Sequence, residues 1–100
     1  MNCAVFFTLR YNDLAEVQAK APDAIRVHVA RMKEFQARGT MLLAIVFRDP
    51  EPPLRTMAVL TSRENAEEFA RGDPFVLNGM VEAWHIREGL DLLGGSSGNA

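Results

Sequence analysis

Between Pro22 and Gly39 the sequence PDAIRVHVARMKEFQARG leaves little choice of structure. Pro22 presets φ for a first helical turn, where its missing N–H costs nothing. Gly39 supplies the left-handed backbone at which helices stop. Ile25, Val29, Met32 and Phe35 recur between them at helical spacing and make one apolar stripe. His28 falls inside that stripe, whereas Arg26, Lys33, Glu34 and Arg38 belong to the wetter side. A long helix therefore carries a single imidazole on the face it turns to the core, and the rest of the chain must supply a layer beneath it.

Four strands can supply that layer. Cys3 to Arg10 is rich in Val and Phe, with Cys3, Val5, Phe7 and Leu9 pointing one way and Ala4, Phe6 and Thr8 the other. Tyr11-Asn12-Asp13 ends it with turn chemistry, and Asp13 can cap a short helix from Leu14 to Lys20. Thr40 to Arg48 reads as a second strand, apolar on both faces. The three prolines of Asp49-Pro50-Glu51-Pro52-Pro53 exclude ladder interior and mark a stiff connection. Leu54 to Thr61 follows, antiparallel to its predecessor because the link is short. Ser62 caps a helix with apolar positions at Ala66, Phe69 and Ala70, which Gly72 ends and Asp73-Pro74 prevents from continuing. Phe75 to Asn78 makes one more turn. Met80 to Arg87 is the last strand, with Met80, Glu82, Trp84 and Ile86 expected on one face and Val81, Ala83, His85 and Arg87 on the other.

This order predicts a ferredoxin-like βαββαβ sandwich of the α+β class, with helices on one face of a four-stranded antiparallel sheet. Residues 1–90 are expected as a single domain and 91–100, ending in GGSSGNA, as a flexible tail. The other sheet face is apolar as well. A second copy pairing sheet against sheet is the simplest closed solution, with Leu90, Leu92 and Leu93 placed to pack across the same boundary.

Composition removes several classes of function. A net charge of −2 without a basic stripe argues against a nucleic-acid partner. The longest strongly apolar run, Met41 to Phe47, is too short for a membrane span, and the N-terminus lacks signal-peptide character. Cys3 is the only cysteine, so a reducing cytoplasm is the expected setting and Cys3 itself a small buried hydrophobe. His28 and His85 lack clustered metal-ligating partners, so no metal is expected. No phosphate-binding glycine loop or nucleophile elbow is present.

Two side chains remain that can carry chemistry. Asp73, between a glycine and a proline, has a restricted backbone and a carboxylate aimed at a set place. The topology allows it to lie within reach of His28. A carboxylate on one imidazole nitrogen selects the tautomer and leaves the other nitrogen to move a proton. The same residues also fit a structural reading, in which Asp73 caps the turn before Phe75 and His28 is a core histidine with one hydrogen bond. Arg26, Tyr11, His85 and Arg87 are the candidate substrate-binding groups, His85 and Arg87 as holders of an anion and Tyr11 through its hydroxyl.

On particular residues the chain resembles the YCII-related family. These are His28 with Gly39 closing its helix, Ser62 with Glu64, Ala66 and Phe69, the triplet Asp73-Pro74-Phe75, Gly79 and a closing strand, within about residues 3 to 88. The resemblance implies a ferredoxin-like dimeric α/β barrel that pairs through its sheets. It also implies His28 and Asp73 as a catalytic pair, working without metal or organic cofactor. In similar branches the chemistry is chloride removal from a chlorinated hydroxyhydroquinone, or isomerisation of muconolactones. The chain departs from the pattern where Ala44-Ile45-Val46 replaces a Gly-Pro pair and where the link after the second strand is short and proline-rich. Both changes bear on the pocket floor. Two functions are therefore expected to compete: a small lyase or isomerase acting on a cyclic or aromatic oxygenated metabolite, and a non-catalytic dimer binding a small molecule or a protein.

Overall fold

A computed structural model describes residues 1–49 and 51–93. Pro50, and the segment 94–100 that makes up most of the expected tail, lie outside the described residues. The elements in order are β1 (Asn2–Leu9), α1 (Leu14–Lys20), α2 (Pro22–Ala37), β2 (Met41–Val46), β3 (Arg55–Leu60), α3 (Arg63–Gly72), α4 (Pro74–Leu77) and β4 (Val81–Gly89). The strands form one sheet in the order β2-β3-β1-β4, with every neighbouring pair antiparallel and the helices on one face. This is the ferredoxin-like sandwich.

Local chemistry sets the helix ends. Asp13 accepts from the backbone N–H of Glu16 at 2.9 Å, and Ser62 from that of Asn65 at 3.0 Å. At the far end of α2, Gly39 takes φ +76°. That turn lets Gly39 N–H reach Gln36 O at 2.9 Å and Thr40 N–H reach Phe35 O at 3.0 Å, so two otherwise orphaned carbonyls are satisfied. Gly79, at φ +73°, closes α4 by the same geometry.

The core lies between sheet and helices. Cys3, Val5, Phe7 and Leu9 alternate into it from β1, joined by Ala58 and Leu60 of β3. Phe69 of α3 stacks on Phe7 with centroids 6.0 Å apart and meets Phe35 of α2 edge-on at 5.5 Å. Three aromatic rings thus tie both helices to the central strand, and truncating the fully buried Phe69 to Ala costs about 3–5 kcal/mol.

The last strand departs from simple alternation. Leu9 pairs with Val81 and Thr8 with Ala83, so the register slips there and Glu82 is an extra residue opposite no partner of its own. Val81 consequently joins Trp84 and Ile86 against the core, not Ala83 and His85 on the far side, and Glu82 is exposed. Beyond the bulge the expected phase holds. The face away from the helices presents Ala4, Phe6, Leu43, Ile45, Met57 and Val59 as cross-strand neighbours, with Leu43 48% exposed.

Candidate active site

His28 projects from the middle of α2, and Asp73 follows the last residue of α3. Pro74 disfavours helical backbone at the residue before it, and Asp73 accordingly adopts φ −68°, ψ 135°. The chain breaks there, and the carboxylate turns inward as the cap of α4. Oδ2 accepts from the backbone N–H of Phe75 at 2.9 Å, while Oδ1 meets Nδ1 of His28 in a short hydrogen bond. Asp73 is wholly buried, the only charged side chain so placed among the described residues. A carboxylate removed from water is tolerable only with such partners on its oxygens.

The imidazole is held from its sides too. Phe75 meets it edge-on at 5.4 Å, and Phe69 lies tilted at 6.1 Å. With Nδ1 donating to the carboxylate, the lone pair falls on Nε2, which makes no hydrogen bond to protein among the described residues. His28 lines a cavity of about 160 Å³ that opens between α2 and the sheet. Met32 and Phe69 form its helix side, and Val5, Phe7, Ala58 and the segment Ala44 to Val46 its sheet side. The Ala44–Val46 segment thus lines this cavity and leaves it open. The arrangement can accept a proton from a bound molecule at Nε2 and hold the resulting positive charge against Asp73.

The other candidate residues lie elsewhere. The Arg26 side chain is 74% exposed, on the outer face of α2 with Asp23 at 3.8 Å. Tyr11 is buried under α4, edge-on to Phe75 at 6.4 Å, so it supports the ring that supports His28 and does not line the cavity. His85 stacks on Phe6 at 5.0 Å and Arg87 sits opposite Ala4, both on the sheet face away from the helices. Within one chain neither reaches His28. Thr56 does line the cavity and was not singled out from sequence. Its signal was its phase with Ala58 and Leu60, which puts a hydroxyl on the core-facing side of β3.

A larger depression of about 600 Å³ lies where the start of α1 faces the proline-rich link. It is lined mostly by exposed side chains and contains neither His28 nor Asp73, so size alone does not mark the site. No three His, Cys, Asp or Glu side chains are gathered to hold a metal among the described residues. Nor is any described helix long and apolar enough to cross a membrane. Cys3 is buried, and its thiol is pushed up from the ordinary range, first by loss of water and then by the charge of Glu88.

Neither a protein-family model nor a curated protein sequence matches the chain. Solved structures do. The chain has the ferredoxin-like fold of dimeric α/β barrel proteins. It superposes on 5-chloro-2-hydroxyhydroquinone dehydrochlorinase (TftG) from Burkholderia phenoliruptrix, solved in complex with 2,5-dihydroxybenzoquinone, with a TM-score of 0.64. Identity is 14%, over 90% of this chain and 94% of that one. A proposed antibiotic biosynthesis monooxygenase from Chloroflexus aurantiacus gives a TM-score of 0.54 at 17% identity, over 91% and 95% of the two chains. At such identities the likeness is one of fold.

Proposed function

We propose that this chain is a small cofactor-free enzyme of the YCII-related type, catalysing a lyase or isomerase proton transfer on a compact oxygenated ring. The contact that carries this reading is His28 Nδ1 on the buried Asp73, with the second ring nitrogen free beside a cavity. His28 Nε2 takes a proton from an acidic position of the substrate, and Asp73 stabilises the imidazolium that forms. The proton then returns at another ring position, giving an isomer, or leaves with a halide expelled from the ring, giving net loss of the hydrogen halide. General-base catalysis of this kind is worth about 10²–10⁴ in rate.

The cavity volume limits the substrate. A cavity of about 150 Å³ is known to accept benzene, and this one measures about 160 Å³. It therefore has room for one six-membered ring. The test is chloride release or isomerisation over a panel of chlorinated dihydroxyarenes and lactones. Turnover in wild type that is lost in His28→Ala supports the enzyme; turnover unchanged in that variant overturns it. A second reading, a non-catalytic dimer that binds a ring without changing it, is favoured by the nearly all-apolar cavity wall. It predicts saturable binding with the ring recovered intact.

We further propose that two copies pair through the sheet face opposite the helices, in a reducing compartment such as the cytoplasm. The apolar cross-strand pairs Phe6 with Met57, Ala4 with Val59 and Ile45 with Met57 support a covered face. The exposed Leu90, Leu92 and Leu93 add to the apolar surface available.

A further inference from the structure

Two polar side chains line the cavity, and His28 is only one of them. The other, Thr56, sits on interior strand β3 opposite Phe7 of β1 and Val46 of β2. Its face of the sheet is otherwise apolar, continuing through Ala58 and Leu60 into the core. The Thr56 hydroxyl makes no hydrogen bond to protein among the described residues. Nor is it a sealed, unsatisfied atom, so the group reaches open space, and the space it lines is this cavity. Open to the cavity, the hydroxyl keeps its full donor and acceptor capacity for whatever occupies that space. In a wall that is otherwise apolar, it is the one sheet-side polar side chain a bound molecule can meet.

We propose that Thr56 is a substrate-anchoring residue and that the site selects a single ring bearing oxygens at two separated positions. One oxygen exchanges a hydrogen bond with Thr56 Oγ1 on the sheet floor. The other presents its side of the ring to His28 Nε2 on the helix wall. A hydroxyl both donates and accepts, so Thr56 takes either a carbonyl or a hydroxyl oxygen. A ring with one oxygen leaves one of the two anchors empty. This inference rests on the cavity beside His28 being the binding site.

Titration of the full chain with hydroquinone and with phenol, followed by calorimetry, tests it. Wild type should bind hydroquinone more tightly than phenol. Thr56→Val should weaken hydroquinone by about five- to tenfold, the net worth of one hydrogen bond, and leave phenol within about twofold. Thr56→Ser should keep the preference. The unliganded Thr56→Val protein should melt at the same temperature as wild type or higher, which excludes damage to the fold as the cause. If Thr56→Val binds hydroquinone as wild type does while His28→Gln weakens it, the anchor is lost and the cavity reading stands. If His28→Gln changes neither probe, or wild type binds neither, the cavity reading falls and takes the anchor with it.

Discussion

His28 and Asp73 come together from different helices, the imidazole Nδ1 donating to one oxygen of a carboxylate that has no exposure to water. The second oxygen is committed to the N–H of Phe75. Asp73→Asn cannot serve both partners as the carboxylate does, because an amide has a single acceptor oxygen. If that oxygen stays on Phe75, the NH₂ group faces the imidazole, Nδ1 becomes the acceptor and the ring proton moves to Nε2. The expected result is a folded protein, destabilised by about 1–3 kcal/mol, with imidazole nitrogen resonances of the Nε2–H tautomer. Turnover of any substrate found should drop by about 10²–10⁴. Wild-type turnover in this variant would remove Asp73 from the mechanism.

Met57 lies between Phe6 and Ile45 on the open face of the sheet. A carboxylate there meets apolar neighbours from both adjoining strands, and in a paired assembly it would be buried without a counter-charge. Met57→Asp should therefore convert a dimer to a monomer by light scattering, with the circular dichroism of the fold retained. A wild-type mass corresponding to one chain would exclude pairing through this face.

Glu16 gives a pH prediction whose sign is fixed by its partners. Its carboxylate accepts from the Asn12 N–H at 2.6 Å and pairs with Lys20 at 2.7 Å, and these hold it below the usual glutamate range, Asn12 contributing most. Because the folded value lies below the unfolded one, the unfolded chain binds the extra proton first on acidification. The stabilisation is complete above the ordinary glutamate value and disappears as pH falls through the lowered one. Glu16→Gln should melt below wild type at neutral pH, and the two melting curves should converge in acid. A gap that persists at low pH would assign the loss to shape and not to charge.

Cys3 behaves in the opposite sense. Its thiol is raised, so the stability linked to it is present at neutral pH and is lost as pH climbs through the raised value. The same burial should keep it slow toward iodoacetamide in the folded protein at pH about 8 and fast once the chain is unfolded. Equal rates in the two states would mean that β1 opens readily.

How much of this was legible beforehand depended on the range of the interactions concerned. The caps at Asp13 and Ser62 involve backbone only three residues away, so the sequence carries them directly. The core face of β1 follows from alternation alone. The contact of His28 with Asp73 needed topology as well, and the restricted Gly-Asp-Pro backbone was the local sign of it. Val81 lies on the face opposite to the one alternation predicts, because the bulge at Glu82 is set by pairing with β1 and leaves no mark in the alternation of β4 itself. Thr56 escaped because threonine is an ordinary strand residue. Only the cavity, a property of five packed elements, makes its hydroxyl conspicuous.

Gly72 shows the same limit and yields a last prediction. From sequence it is a helix stop, yet it is the final residue of α3 and its backbone is not in the left-handed region. The glycine is needed because Arg31 of α2 lies against it: a Cβ at this position would fall 2.7 Å from Nη2. Arg31 donates to the carbonyls of Phe69 at 3.2 Å and Glu68 at 3.4 Å while its guanidinium covers the Phe69 and Phe35 rings. It thus satisfies acceptors near the end of α3, one turn along α2 from His28 and just ahead of Asp73. An added methyl displaces the end of a flexible side chain, so the cost is the lost bonds and not a backbone shift. Gly72→Ala should destabilise the native protein by about 0.5–1 kcal/mol, the loss of Arg31 contacts outweighing the helix propensity gained. In an Arg31→Met background the contacts are already gone, and the same substitution should stabilise by a few tenths, about 0.5 kcal/mol at most. A double-mutant cycle by urea unfolding should therefore return a coupling near 1 kcal/mol. Additive effects would mean that Arg31 does not fasten α3 to α2, and Asp73 would owe its position to Pro74 and Phe75 alone.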